Sequence, residues 1–103
     1  MTEWIDIARE GSLAYGEHLV LDVDGVEIAI FNVKGVYYAI EDTCTHDGAE
    51  IASGELSGCE IVCPRHGARF CLKTGKVLSP PAYEDLATFP IRVQDGRIQV
   101  GFE

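Results

Sequence analysis

The sequence predicts an all-β fold, and three observations carry that expectation. Asp24-Gly25 and Asp95-Gly96 each separate two runs rich in Val and Ile, the pattern of a two-residue hairpin turn, and Lys34-Gly35 marks a further turn. Leu19, Leu21 and Val23 fall on one side of a period-two pattern, as in a strand with one buried face. No stretch gives clear support for a long helix.

Taken in order, residues 4–7 read as a short first strand. Residues 20–23 and 26–33 form a hairpin across Asp24-Gly25, and 36–40 follows after Lys34-Gly35. Residues 42–58, rich in Gly, Ser, Thr and acids, read as a loop. Strands are expected around 60–62 and 69–72. Residues 73–88 break the pattern, because Pro80-Pro81 cannot sit inside a central strand. A last hairpin joins 91–93 to 98–100. The result is a β scaffold with long loops, where functional sites are usually carried.

The 103 residues suit one domain spanning 1–103, with no repeat and no linker. An apolar content of 47% supports a modest core without disulfide staples. With 8 basic and 17 acidic residues the net charge is −9, which argues against nucleic acid and anionic membranes. It suits solubility and steering toward a basic partner surface. No apolar run reaches the roughly 20 residues of a membrane span. The opening Met1-Thr2-Glu3-Trp4-Ile5-Asp6 has no secretory pattern, so a cytoplasmic protein is expected. There, clustered Cys and His read as metal ligands rather than bridges.

Cys44-Thr45-His46 is followed, after sixteen residues, by Cys63-Pro64-Arg65-His66. Each segment supplies one thiolate and one imidazole beside turn-forming residues, Gly48 in one and Pro64 with Gly67 in the other. Loops from neighbouring strands can converge, placing four donors around one centre. Thiolate selects zinc, copper(I) or iron–sulfur, and imidazole suits zinc and iron. Two readings remain at this point: a tetrahedral zinc ion, or a [2Fe–2S] cluster with two Cys on one iron and two His on the other. Zinc fingers more often pair Cys with Cys and His with His along the chain.

The two ligand segments, extended through Gly67-Ala68-Arg69-Phe70, Thr74-Gly75, Pro80-Pro81-Ala82 and Leu86-Ala87-Thr88-Phe89-Pro90, resemble the Rieske ferredoxins that accompany bacterial aromatic-ring dioxygenases. The resemblance covers essentially the whole chain. It implies the Rieske fold of stacked antiparallel β-sheets, with cluster-binding loops at about 42–50 and 62–70 and a Pro loop at about 78–83 as a third cover. It implies one [2Fe–2S] cluster per subunit, with Cys44 and Cys63 on the inner iron and His46 and His66 on the outer, more exposed one. Replacing two thiolates by two neutral imidazoles raises the potential above the roughly −400 mV of all-cysteine plant-type clusters. The outer imidazoles, facing solvent, can change protonation with redox state and offer an exit for the electron.

Departures from the family's high-potential members are informative. Where those carry a second pair of Cys bridging the loops, this chain has Ala49 and Arg65. Where they place hydroxyl donors to the cluster sulfurs, it has Ala68 and Phe70. A low-potential centre is expected, near the bottom of the roughly −150 to +300 mV Rieske range.

Other residues are expected to be structural. Cys59 and Cys71 read as partly buried thiols outside the ligand set, and a bridge between them is disfavoured by the compartment. His18 reads as an inert strand residue near solvent. Trp4, Phe31, Tyr37, Tyr38 and Phe89 read as core or sheet-face packing. Arg65 and Arg69 flank the second loop, facing a partner's acids or pairing with Asp47 and Glu50. Asp42, Asp47, Glu50, Glu55 and Glu60 form a candidate acidic rim beside the loops.

An oxygenase subunit needs a second iron, usually held by two His and a carboxylate. With three His in all, only His18 remains, and the length leaves no catalytic domain. The expected function is therefore one-electron transfer from a flavin- and NAD(P)H-dependent reductase to a terminal oxygenase, by a monomer that is not itself an enzyme. The alternatives are a small subunit of an NAD(P)H nitrite reductase, a carrier linked to iron–sulfur assembly, and a zinc-binding interaction module.

Overall fold

The computed structural model describes residues 3–43, 50–64, 67–80 and 84–102. These form ten strands and, among the described residues, no helix: β1 (Glu3–Arg9), β2 (His18–Val23), β3 (Val26–Val33), β4 (Val36–Glu41), β5 (Glu55–Ser57), β6 (Glu60–Val62), β7 (Arg69–Cys71), β8 (Thr88–Phe89), β9 (Ile91–Gln94) and β10 (Arg97–Phe102). All pairings are antiparallel, in three sheets ordered β1-β10-β9, β2-β3-β4-β8 and β5-β6-β7. The all-β expectation is borne out.

Three turns carry a positive φ at both central residues: Asp24 and Gly25 at 53° and 85°, Lys34 and Gly35 at 52° and 92°, Asp95 and Gly96 at 53° and 74°. That geometry matches the right-handed twist of the strands, and Gly adopts it without Cβ strain. The turns fix the registers Val23↔Val26, Val33↔Val36 and Gln94↔Arg97.

The centre of the middle sheet, along β3, is buried on both faces. Along β3, Ile28 and Ile30 pack with Ala39, Val100, Leu19 and Leu21, while Ala29 and Phe31 join Ile40, Ile61, Cys63, Phe70 and Leu72. A strand with cores on both sides must be apolar at successive positions, as the buried run from Ile28 to Phe31 is. On β2 the alternation holds: Leu19, Leu21 and Val23 are half-buried and Val20 is exposed. The second cluster joins the middle sheet to the small sheet β5-β6-β7, which carries the candidate site.

Two strands depart from the sequence reading. Glu55–Ser57 lies in the stretch read as loop, and Thr88–Phe89 begins at the last residue of the stretch read as irregular. Both are too short for a periodic signal and form because a neighbour supplies the ladder: Ser57↔Glu60 for one, Ile40↔Thr88 for the other.

Candidate metal centre

Cys63 follows the last residue of β6. Its amide donates to the Ala68 carbonyl at 2.7 Å, and the Gly67 amide donates back to the Cys63 carbonyl at 3.0 Å. These bonds extend the Val62↔Arg69 ladder into the turn and fix the thiol's backbone at the strand end. Cys63 is 1% exposed, packed among Ile51, Ala52, Ile61, Ala68 and Phe70, and it is a free cysteine. Of the four expected ligands it alone lies among the described residues. Cys44, His46 and His66 fall outside them, as do Asp47, Ala49 and Arg65.

The stems of the three loops meet around this strand end. Asp42 leaves β4 with its amide donating to the Glu27 carbonyl at 2.9 Å. Its carboxylate oxygen Oδ1 accepts the amides of Ile51 and Ala52 at 2.9 and 2.8 Å, joining the two sides of segment 43–50. Gly54, beyond that segment, lies against Val62, the residue before Cys63; a Cβ at position 54 would fall 1.9 Å from the Val62 carbonyl oxygen. The Pro-loop stem lies along β7, where Val77 bridges to Phe70 and the Leu78 amide donates to the Arg69 carbonyl at 2.8 Å. The Arg69 amide in turn donates to Ser79 Oγ at 3.1 Å. The far side of this stem is held by Asp85, whose Oδ1 accepts the Val77 amide at 2.9 Å.

Several readings are corrected. Asp42 is 4% exposed and belongs to the loop stem, not to an acidic rim. Arg69 pairs with Glu60 at 3.4 Å, on a half-exposed surface, rather than with Glu50, which accepts a bond from Ser53. Cys59 is exposed, because it occupies the Gly58-Cys59 turn between paired Ser57 and Glu60. Cys71 is half-buried as expected, and both are free cysteines. His18 is exposed, its ring 5.9 Å from that of Phe31. The aromatics pack as expected: Phe31 is buried, Arg92 stacks over Trp4 at 4.1 Å, and Phe89 meets Phe102 at 5.1 Å.

Two titrating groups lie on this side of the molecule. A hydrogen bond from the Thr74 side chain holds the Cys71 thiol below its ordinary value, against an opposing effect of burial. Tyr38 is pushed up, first by its contact with Cys59, where Oη and Sγ are 3.8 Å apart, and then by desolvation.

Sequence reasoning missed the roles of Asp42 and Asp85. The available signal was an acid closing an apolar strand or preceding one, a position where carboxylates accept backbone amides.

The fold defines an all-β domain in which the stems of the loops meet at a strand end that carries one buried free thiol, Cys63. Residues 3–90 match the model of the Rieske [2Fe-2S] domain, and the chain belongs to that family. The ferredoxin component of naphthalene 1,2-dioxygenase/salicylate 5-hydroxylase systems from Ralstonia sp is 38% identical over 100 residues, 97% of this chain and 96% of that protein. The 3-phenylpropionate/cinnamic acid dioxygenase ferredoxin subunit from Escherichia coli strain K12 is 48% identical over 84 residues, 81% of this chain and 78% of that one. A chain of the complex of reduced oxygenase and oxidized ferredoxin in carbazole 1,9a-dioxygenase superposes with a TM-score of 0.89 at 33% identity, covering 94% of this chain and 91% of that one. Membership implies a Rieske [2Fe–2S] cluster. The donor chemistry is compatible with it: Cys63 offers a free, buried sulfur at a strand end, and thiolate is a ligand type that iron–sulfur clusters take. Among the described residues no helix is long and apolar enough to cross a membrane.

Proposed function

We propose that the protein is a Rieske ferredoxin that carries one electron from a flavin- and NAD(P)H-dependent reductase to a terminal oxygenase of the aromatic-ring dioxygenase type. On this reading residues 1–103 are one domain, a monomer in the cytoplasm, and hold one [2Fe–2S] cluster. Cys44 and Cys63 hold the inner iron, and His46 and His66 the outer one. The cluster supplies a one-electron couple; the chain supplies the ligands and a dry inner wall.

The observation that carries the reading is the burial of Cys63 at the closed end of the β6–β7 hairpin, in a chain whose relatives over nearly its full length are named as dioxygenase-system ferredoxins. A structural thiol in an apolar wall is ordinary, but this one belongs to the Cys63-Pro64-Arg65-His66 segment, which pairs with Cys44-Thr45-His46. The zinc-module alternative is weakened by the family match.

The test is the purified holoprotein. Analysis should return about two irons and two sulfides per chain with a brown-red colour, as the cluster class requires. EPR of the dithionite-reduced protein should show a mixed nitrogen- and sulfur-ligated [2Fe–2S] signal. A colourless protein with one zinc, or an all-cysteine signal, overturns the assignment.

A further inference from the structure

We infer that Asp42 is a positioning residue of the metal centre, fixing the span of the first ligand loop through its carboxylate. The inference rests on the proposed ligand assignment and deepens it. Segment 43–50 is eight residues long and contains Cys44 and His46. One end is anchored on the middle sheet, where the Asp42 amide donates to the Glu27 carbonyl and the Thr43 amide to the Glu41 carbonyl, at 2.9 and 2.8 Å. The other end enters the apolar cluster through Ile51 and Ala52, 0% and 1% exposed, which pack with Cys63.

Asp42 Oδ1 ties these ends together with two short bonds, from Ile51 and Ala52. Bonds from amides to a carboxylate are stronger than neutral ones, and burial removes competing water. Without this acceptor two buried amides lose their partner, and the loop ends are free to separate. Asp42 and Cys44 are separated by one residue, so their Cα atoms lie within about 7.6 Å, two trans peptide steps. Movement of the Asp42 stem therefore passes directly to the first thiolate. A cluster shared between two loops tolerates such movement poorly, because both loops must be in register for four ligands to bind together. Asp42 touches no reacting atom on this account; it acts through the loop.

The experiment compares the wild-type holoprotein with Asp42→Asn and Asp42→Ala. It follows cluster loss to an iron chelator by visible absorbance, the EPR signal of the reduced protein, and far-UV circular dichroism. Asn keeps an acceptor oxygen in place but a weaker, neutral one, so D42N should lose its cluster more slowly than D42A and keep the wild-type EPR line shape. D42A should lose its cluster about tenfold faster or more, the usual scale for removing a group that orients a metal ligand. Its residual EPR signal should be altered while its β-sheet dichroism is unchanged. If D42A does not fold, Asp42→Glu, which shifts the carboxylate by one methylene, should show the same faster loss. D42A or D42E holding its cluster at the wild-type rate with an unchanged EPR signal overturns the inference, as does D42N losing it as fast as D42A. A wild-type protein without the mixed-ligand signal overturns the ligand assignment instead, so the two failures are distinguishable.

Discussion

Gly54 and Val62 meet backbone to backbone: a Cβ at position 54 would lie 1.9 Å from the Val62 carbonyl oxygen and 3.0 Å from that of Ile51. No side-chain rotation relieves contact with a carbonyl. The pair brings the chain that follows segment 43–50 against the strand end that carries Cys63, so a glycine registers the stems of the two proposed ligand loops.

Gly54→Ala should therefore act on fold and cluster together. We expect a loss of about 2–3 kcal/mol, the upper part of the ordinary range for single substitutions, because backbone must shift. Denaturant unfolding of the holoprotein, followed at the visible cluster band and by far-UV dichroism, checks this. A variant as stable as wild type would mean that the approach of Gly54 to Val62 is not needed.

Asp85 gives a weaker and more local prediction. Its carboxylate accepts the Val77 amide at 2.9 Å and holds the Pro-loop stem along β7, but the contact is exposed. Asp85→Ala should cost about 1 kcal/mol, the ordinary net value of a hydrogen bond. Amide exchange at Val77 and Leu78 should accelerate while that at Ile30 does not. Uniform acceleration would show that Asp85 supports the whole fold rather than one loop.

The residues involved also show what could be read from the chain. Asp24-Gly25 and Asp95-Gly96 announced their hairpins because a two-residue turn leaves its chemistry in sequence. Ile28 to Phe31 announced a strand but not two cores, since an apolar run does not say what packs on each face. Thr88–Phe89 left no signal, because two residues acquire strand character only from the neighbouring β4. Cys63 stands out in the sequence as a candidate ligand through its spacing to His66, whereas Asp42 reads there only as one of several acids beside the loops. Only the folded chain brings Ile51 and Ala52 to its carboxylate.

Cys71 supplies the pH-dependent prediction. The Thr74 side chain, hydrogen-bonded to the thiol, favours the thiolate and lowers its pKa. Because the folded value lies below the unfolded one, this group's stabilising contribution is present above the unfolded thiol pKa. It is lost as pH falls through the folded value. Alkylation of Cys71 in the holoprotein, followed by peptide mass spectrometry, should have its midpoint below that of the same cysteine in the unfolded chain. Thr74→Val should move the midpoint upward. An unmoved midpoint would assign the shift to the backbone amides rather than the hydroxyl.

The ligand proposal is tested most directly at His66. His66→Cys exchanges a neutral imidazole for a thiolate and adds one negative charge to the cluster. Reduction then places an electron on a more anionic centre, so the potential should fall toward the roughly −400 mV of all-cysteine clusters. Protein-film voltammetry reads this directly. A variant that keeps its cluster at an unchanged potential would remove His66 from the ligand set.

Ala68 carries the last prediction. It is 0% exposed, and its carbonyl accepts the Cys63 amide at 2.7 Å, so its side chain is attached to the same turn as the Cys63 thiol. The family resemblance sets this position against a hydroxyl donor in high-potential members, and alanine has none. A hydrogen bond to cluster sulfur stabilises the reduced, more negative state more than the oxidised one. Taking about 1 kcal/mol for one such bond, and 59 mV per tenfold for a one-electron couple, Ala68→Ser should raise the potential by about 40 mV. Starting from a wild-type value near the low end of the roughly −150 to +300 mV Rieske range, the variant should remain a low-potential centre. Two results would contradict this: a wild-type potential above about +100 mV on that scale, or a Ser variant with intact EPR and no rise. The second would mean that the added hydroxyl donates to backbone instead, which the adjoining turn carbonyls make the natural competitor.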